Sequence, residues 1–135
     1  MNTNNLSIVI SCIDYRFWPK TLELLKTKYG DFDLIEMAGA SKNLISPLEP
    51  EDKISLLENI GISIKLHNSK KIVLTNHIDC GAYGGSTKFQ TKEEEISFHK
   101  NELLEATKIL KENFPEMIIE TEFISKDEND NIVLL

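Results

Sequence analysis

Hydrophobic positions along the chain follow two rhythms: short continuous runs, and longer stripes spaced three or four residues apart. The run Leu6-Ser7-Ile8-Val9-Ile10-Ser11, ending at Cys12, predicts a first strand. Leu22, Leu25 and Tyr29 form a helical stripe that Gly30 closes. Phe32 to Glu36 predicts a second strand, and Ala38-Gly39-Ala40-Ser41 a loop after it. Ser46-Pro47-Leu48-Glu49 has the form of a helix start, with a capping hydroxyl, proline at the first position and Glu three residues on. Pro50 follows, which allows the regular helix to begin slightly later; its inward face would be Ile54, Leu57, Ile60 or Gly61, and Ile64. Lys71 to Thr75 predicts a third strand ending just before Asn76-His77, apolar enough to be covered on both faces. Thr91-Lys92-Glu93-Glu94 reads as a second capping box, opening a long helix with Ile96, Leu103, Ala106, Leu110 and Phe114 inward and Pro115 as its stop. Met117 to Ile124 predicts a fourth strand, then a polar turn from Lys126 to Asn131 and a short apolar tail, Ile132 to Leu135.

Strands alternating with helices predict an α/β fold built on a short parallel sheet, with right-handed crossovers and helices on both faces. With strand 1 central, strand 2 on one side and strands 3 and 4 on the other, the order is 2-1-3-4, in one domain spanning residues 1–135. Ligands of such sheets bind beyond the carboxyl ends of the strands, where neighbouring connections leave in opposite directions. Here that crevice lies between strands 1 and 3. Cys12 ends the one; His77 and Cys80 follow the other.

Composition narrows the function classes. The chain has 135 residues, 41% hydrophobic and 27% charged, as expected of one globular core. No apolar run approaches the roughly 20 residues of a membrane span. The polar start Met1-Asn2-Thr3-Asn4-Asn5 lacks the basic region of a signal peptide, so the expectation is a cytoplasmic protein with no membrane partner. A formal net charge of −7 argues against a nucleic-acid partner, which clustered Lys and Arg would serve. Two cysteines are too few for a disulfide scaffold, and in a reducing compartment they are ligands, nucleophiles or core residues.

Thiolate and imidazole are preferred ligands of Zn²⁺, and three protein ligands leave a fourth tetrahedral position for water or substrate. His77-Ile78-Asp79-Cys80 offers two such ligands from one turn, and Cys12 a third from the adjacent strand end. In Cys12-Ile13-Asp14-Tyr15-Arg16, Asp14 lies near enough to Cys12 to reach a metal, and Arg16 can clamp it with a bidentate ion pair. A free Asp14 would compete for the fourth position and close the site; a clamped one would leave it open. Plain burial of the cysteines, a Cys12–Cys80 disulfide and an ordinary surface Asp14–Arg16 pair are the competing structural readings.

Cys12-x-Asp14-x-Arg16 together with His77-x-x-Cys80-Gly81 resembles the β-class carbonic anhydrases, over roughly residues 6 to 125. The stretch from His77 to Gly85 is closer to the small carbonic-anhydrase-like proteins of that superfamily. The resemblance implies Cys12, His77 and Cys80 as zinc ligands, Asp14 and Arg16 as the catalytic pair, and a homodimer or higher homo-oligomer with active sites near the subunit interface. The implied reaction is reversible hydration of CO₂ to bicarbonate by zinc-bound hydroxide, with the backbone near Gly81 helping to hold the product anion. Two thiolates donate more charge than imidazoles, so the expected activity favours alkaline pH. Hydrolysis of another small linear electrophile such as carbonyl sulfide, or a noncatalytic zinc or anion-binding module, are the alternatives. The chain departs from the family pattern at Glu36-Met37-Ala38-Gly39, where an Arg-Asn-Ala-Gly-like segment is common, and few residues precede strand 1 to form the family's N-terminal arm.

Other polar residues have simpler readings. His67 ends the second helix and is expected to cap it; His99 is expected to pack or to support the site from behind. Glu93-Glu94-Glu95 suits the positive end of a helix dipole and needs no partner. Tyr83 lines the pocket or packs on a partner. Gly81, Gly84 and Gly85 match neither dinucleotide nor P-loop spacing, and so belong to a metal-loop turn.

Overall fold

A computed structural model describes residues 5–135; the polar start read above for signal character lies largely outside them. The elements are β1 (Ser7–Ser11), α1 (Trp18–Tyr29), β2 (Phe32–Glu36), α2 (Lys42–Ile45), α3 (Pro50–His67), β3 (Lys71–His77), α4 (Lys92–Asn113), β4 (Ile118–Lys126) and β5 (Ile132–Leu134). Two short 3₁₀ turns, Gly81–Tyr83 and Ser86–Lys88, lie between β3 and α4.

The sheet order is β2-β1-β3-β4-β5. Four strands run parallel, as expected, and Ser7 faces both Phe32 and Lys71 in register. The apolar tail corrects the expected four-strand sheet: β5 pairs antiparallel with β4 and covers part of its outer edge. Strand residues alternate between two cores. Ile8, Ile10, Ile72 and Leu74 point toward Leu56 and Ile60 of α3 and Leu103, Ala106 and Leu110 of α4. Val9 and Val73 point the other way, onto Leu25 of α1 with Leu22, Tyr29 and Leu134 around it. Each fully buried Ile or Leu stabilises the fold by about 1.5–3 kcal/mol. That explains why β1 and β3 read as continuous apolar runs: both of their faces are dry.

Two boundaries move. The helix expected at Ser46 starts at Pro50, with Pro at the first position and the Asp52 carboxylate accepting the Glu49 N–H at 3.2 Å. Ser46 instead ends the short α2, which the apolar pattern did not predict. The inward face of α3 is Leu56, Ile60 and Ser63, with the expected Leu57 and Ile64 half-buried against the same core, while Ile54 is exposed. β3 continues through Asn76 and His77, because β4 keeps pairing with it as far as His77↔Ile124. Thr91 caps α4 by accepting the Glu94 N–H at 3.0 Å, but Glu94 returns the bond to Gln90 rather than to Thr91. No helix among the described residues is long and apolar enough to cross a membrane.

Candidate metal centre

β1 and β3 are hydrogen-bonded neighbours, so their carboxyl ends emerge side by side. Cys12 follows the last residue of β1, His77 is the last residue of β3, and a tight turn brings back Cys80. Asp79 makes that turn possible by taking a left-handed backbone, φ 55°, which Asp tolerates better than most residues. The result is a cluster in which one ligand atom from each of Cys12, His77 and Cys80 lies within 4.8 Å of the others. All three residues are buried.

The histidine is oriented. Its Nδ1 sits 2.6 Å from the Ile78 carbonyl, which can only accept, so Nδ1 carries the proton and Nε2 presents a lone pair. Phe17 stacks on the ring at 4.5 Å and fixes its plane. Nε2 is buried without a hydrogen-bond partner. A buried polar atom without a partner is costly, and this one faces two sulfurs. Two soft sulfurs and an imidazole nitrogen bearing a free lone pair are the donor set that suits Zn²⁺.

The sulfurs are prepared for the same task. A hydrogen bond from Cys80 lowers the Cys12 thiol most; burial opposes it, and the Gly39 and Asp14 N–H groups assist. Cys80 is shifted the opposite way, raised by its bond to Cys12 and by burial. The Gly39 N–H reaches Cys12 Sγ at 3.4 Å. Gly39 has φ 81°, and a Cβ there would stand 3.0 Å from the Ala82 and Lys42 Cβ atoms, so glycine is required for this approach.

Asp14 and Arg16 form the expected pair. Arg16 Nε donates to both Asp14 oxygens at 3.1 and 3.2 Å, Nη2 to Oδ2 at 2.7 Å, and the Arg16 N–H to Oδ1 at 2.9 Å. These bonds hold the Asp14 carboxyl below its ordinary range against the opposing effect of burial. Asp14 Oδ2 stands 3.8 Å from His77 Nε2, at the rim of the cluster. Gly81 opens the 3₁₀ turn beside Cys80; a Cβ there would meet nothing within 4 Å, so packing does not demand glycine.

Several neighbours carried no such role in the sequence. Arg16 Nη1 donates to Asp79 Oδ2 and Nη2 to the Asp79 carbonyl, both at 2.9 Å. Glu95, read as a solvated dipole partner, is buried and accepts the Asp79 N–H and the Ser86 hydroxyl, each at 2.7 Å. That corrects its assignment: it is a structural partner of the metal-loop turn. Behind the site Asn76 joins Ser41, Tyr83 and His99 in one buried network. Tyr83 is therefore internal, and His99 packs on Phe123 as a fully buried ring. Burial, and to a smaller degree His77, lowers His99 to about 4, so it is neutral. His67 does not cap its own helix; its Nδ1 pairs with Asp33 at 2.7 Å.

The profile of the family described as "Putative carbonic anhydrase" matches residues 2–134, nearly the whole chain. The chain belongs to this carbonic anhydrase family. It is 33% identical over 126 residues to an uncharacterized protein of Rickettsia bellii, covering 90% of this chain and 77% of that one. A second uncharacterized protein, from Rickettsia conorii, is 34% identical over 126 residues, covering 90% and 68%. Among solved structures, a tetrameric β-carbonic anhydrase of Sordaria macrospora superposes with a TM-score of 0.65 at 16% identity, covering 100% of this chain and 82% of its own. The β-carbonic anhydrase isoform I of Trichomonas vaginalis gives 0.63 at 14% identity, covering 98% and 82%. These superpositions show the family's fold: the five-stranded, mostly parallel sheet with helices on both faces.

Proposed function

We propose that this protein is a zinc-dependent, carbonic anhydrase-like lyase that reversibly hydrates CO₂ to bicarbonate. Cys12, His77 and Cys80 would hold the ion, Asp14 and Arg16 form the catalytic pair, and the Gly81 backbone contacts the product anion. The observation that carries this reading is the buried, unpartnered Nε2 of His77, facing two sulfurs and standing 3.8 Å from an arginine-clamped carboxylate. Zinc in such a site supplies a Lewis acid that lowers the pKa of water toward neutrality.

The chain's own residues do the rest. The Asp14 carboxylate is kept ionised by Arg16 and can only accept, so it takes a hydrogen bond from the attacking water. That bond turns the water's free lone pair toward the carbon of CO₂; as the C–O bond forms, one C=O π pair moves onto its oxygen and the proton lost from the water passes to solvent buffer, leaving bicarbonate. Arg16 spends its Nε and Nη2 on Asp14, which keeps the carboxylate from closing the fourth ligand position. The low exposure of Cys12, His77 and Cys80 limits competing water and strengthens each polar contact. The tetrameric description of the Sordaria macrospora structure supports a homo-oligomer for this chain.

The test pairs metal analysis with stopped-flow CO₂ hydration. Wild type should carry one zinc per chain and turn over; Asp14→Asn should keep the zinc and lose roughly 100-fold or more in rate, the usual scale of a proton-handling side chain. Full activity in that variant would remove Asp14 from the mechanism.

A further inference from the structure

Asp14 and Arg16 sit two residues apart on one loop, with side chains 15% and 38% accessible. A local ion pair of this exposure holds its geometry weakly, because water competes for both partners. Yet the guanidinium here is gripped from a second part of the chain. Asp79 accepts from Nη1 with Oδ2 and from Nη2 with its carbonyl, 63 residues away in sequence. Asp79 is itself immobilised: Oδ1 accepts the Ser86 N–H at 2.7 Å, and its own N–H goes to Glu95 Oε2 at 2.7 Å. Glu95 Oε1 takes the Ser86 hydroxyl, so one buried carboxyl group fixes both sides of the turn from α4.

We propose that Asp79, seated by Glu95, is a positioning residue: it holds the Arg16 guanidinium in the orientation that keeps Asp14 turned away from the ligand atoms of Cys12, His77 and Cys80. The proposal rests on the reading that these three side chains bind a divalent metal. Its physical content is a competition. Asp14 Oδ2 is already 3.8 Å from His77 Nε2, and a carboxylate is a competent zinc ligand. Arg16 must therefore outbid the metal for Asp14. It does so best when the fork cannot swing, and the two bonds to Asp79 use the guanidinium edge that Asp14 leaves free. Without Asp79, Arg16 is only a flexible loop side chain, and Asp14 gains freedom to occupy the position that substrate or an anion needs.

The experiment uses Co²⁺-loaded protein titrated with azide, read by visible absorption, alongside zinc stoichiometry. Asp79→Asn is the informative variant, because Asn also accepts a left-handed backbone while losing the second acceptor oxygen. Wild type should respond to azide. Asp79→Asn should keep its metal and bind azide about tenfold or more weakly, the scale of losing a hydrogen bond to a charged group. The double variant Asp14→Ala/Asp79→Asn should recover the azide affinity of Asp14→Ala alone, since no carboxylate is left to compete. Glu95→Gln, with one acceptor oxygen retained, should shift azide binding in the same direction by less, and serves in place of Asp79→Asn if that variant does not fold. Wild-type azide affinity in Asp79→Asn overturns the proposal. So does a double variant that stays weak, which would mean a general loosening of the site. Wild-type protein that takes up no Co²⁺ removes the metal reading first, and the proposal falls with it.

Discussion

Two places in the molecule put a histidine beside an aspartate and small polar side chains, and they differ in what is left over. At the far side of α3, His67 Nδ1 and the Ser63 hydroxyl both bond Asp33 Oδ2, at 2.7 and 2.5 Å, and Ser63 also meets Ser69 at 2.7 Å. Those bonds tie α3 to the edge strand β2, and the His67 side chain is 54% exposed. At the sheet's carboxyl edge, His77 is buried, its Nδ1 is satisfied, and its Nε2 is aimed at Cys12 and Cys80 with no partner. The lesson is that residue type does not mark a site. An interior lone pair that the fold has oriented and left unused does.

The sharpest way to break that comparison is to remove each histidine. His77→Gln should abolish stoichiometric zinc binding, since one of three ligands is lost. His67→Gln should leave zinc content unchanged and cost under about 1 kcal/mol of stability, its pair with Asp33 being half exposed. Equal metal loss in both variants would erase the distinction.

A third histidine sharpens it further. Buried His99 is held neutral, at about 4 against an ordinary 6.5, so between those values the unfolded chain binds a proton that the folded chain refuses. Stability is therefore fully present above pH 6.5 and is lost as the pH falls toward 4, by about 3 kcal/mol from this residue. Denaturant melts across that window should show the loss in wild type and a flatter profile in His99→Gln. The smallest expected effect is at the structural cluster: Ser63→Ala should cost about 1 kcal/mol, seen as a lower denaturant midpoint, with zinc binding intact.

Much of the fold was legible because β1 and β3 are buried on both faces, which leaves an uninterrupted apolar run in the sequence. The tail was harder. Ile132 to Leu134 is three residues of partial burial, too short for periodicity to separate a strand from a loose end, and its partner is chosen by the edge of β4. The start of α3 lay between two signals, Ser46-Pro47 and Glu49-Pro50, and the later one is used because Ser46 already ends α2. At the site, the convergence of Cys12 with His77 and Cys80 was legible because strand order places two strand ends together, and the Asp14–Arg16 pair because they stand two residues apart. Asp79 and Glu95 were not. A glutamate in a helix's first turn has a sufficient local explanation in the dipole, and nothing local shows that β3's turn and α4 close on one another. The signal lay in Asp79, an acidic residue in the tight turn between His77 and Cys80.

The β1–β3 seam has a consequence for how the protein matures. Cys12 stands on one side of that ladder and His77 with Cys80 on the other, and the pairing that joins them spans about half the chain. Non-local pairing of this kind is slow to form, so the gripping geometry is absent until late in folding. If the proposed ion is captured there, it would act as a latch, binding the finished seam in preference to any open form and adding its binding free energy to the stability of the closed one. Metal supply would then set how long each newly made chain survives proteolysis, independently of any turnover.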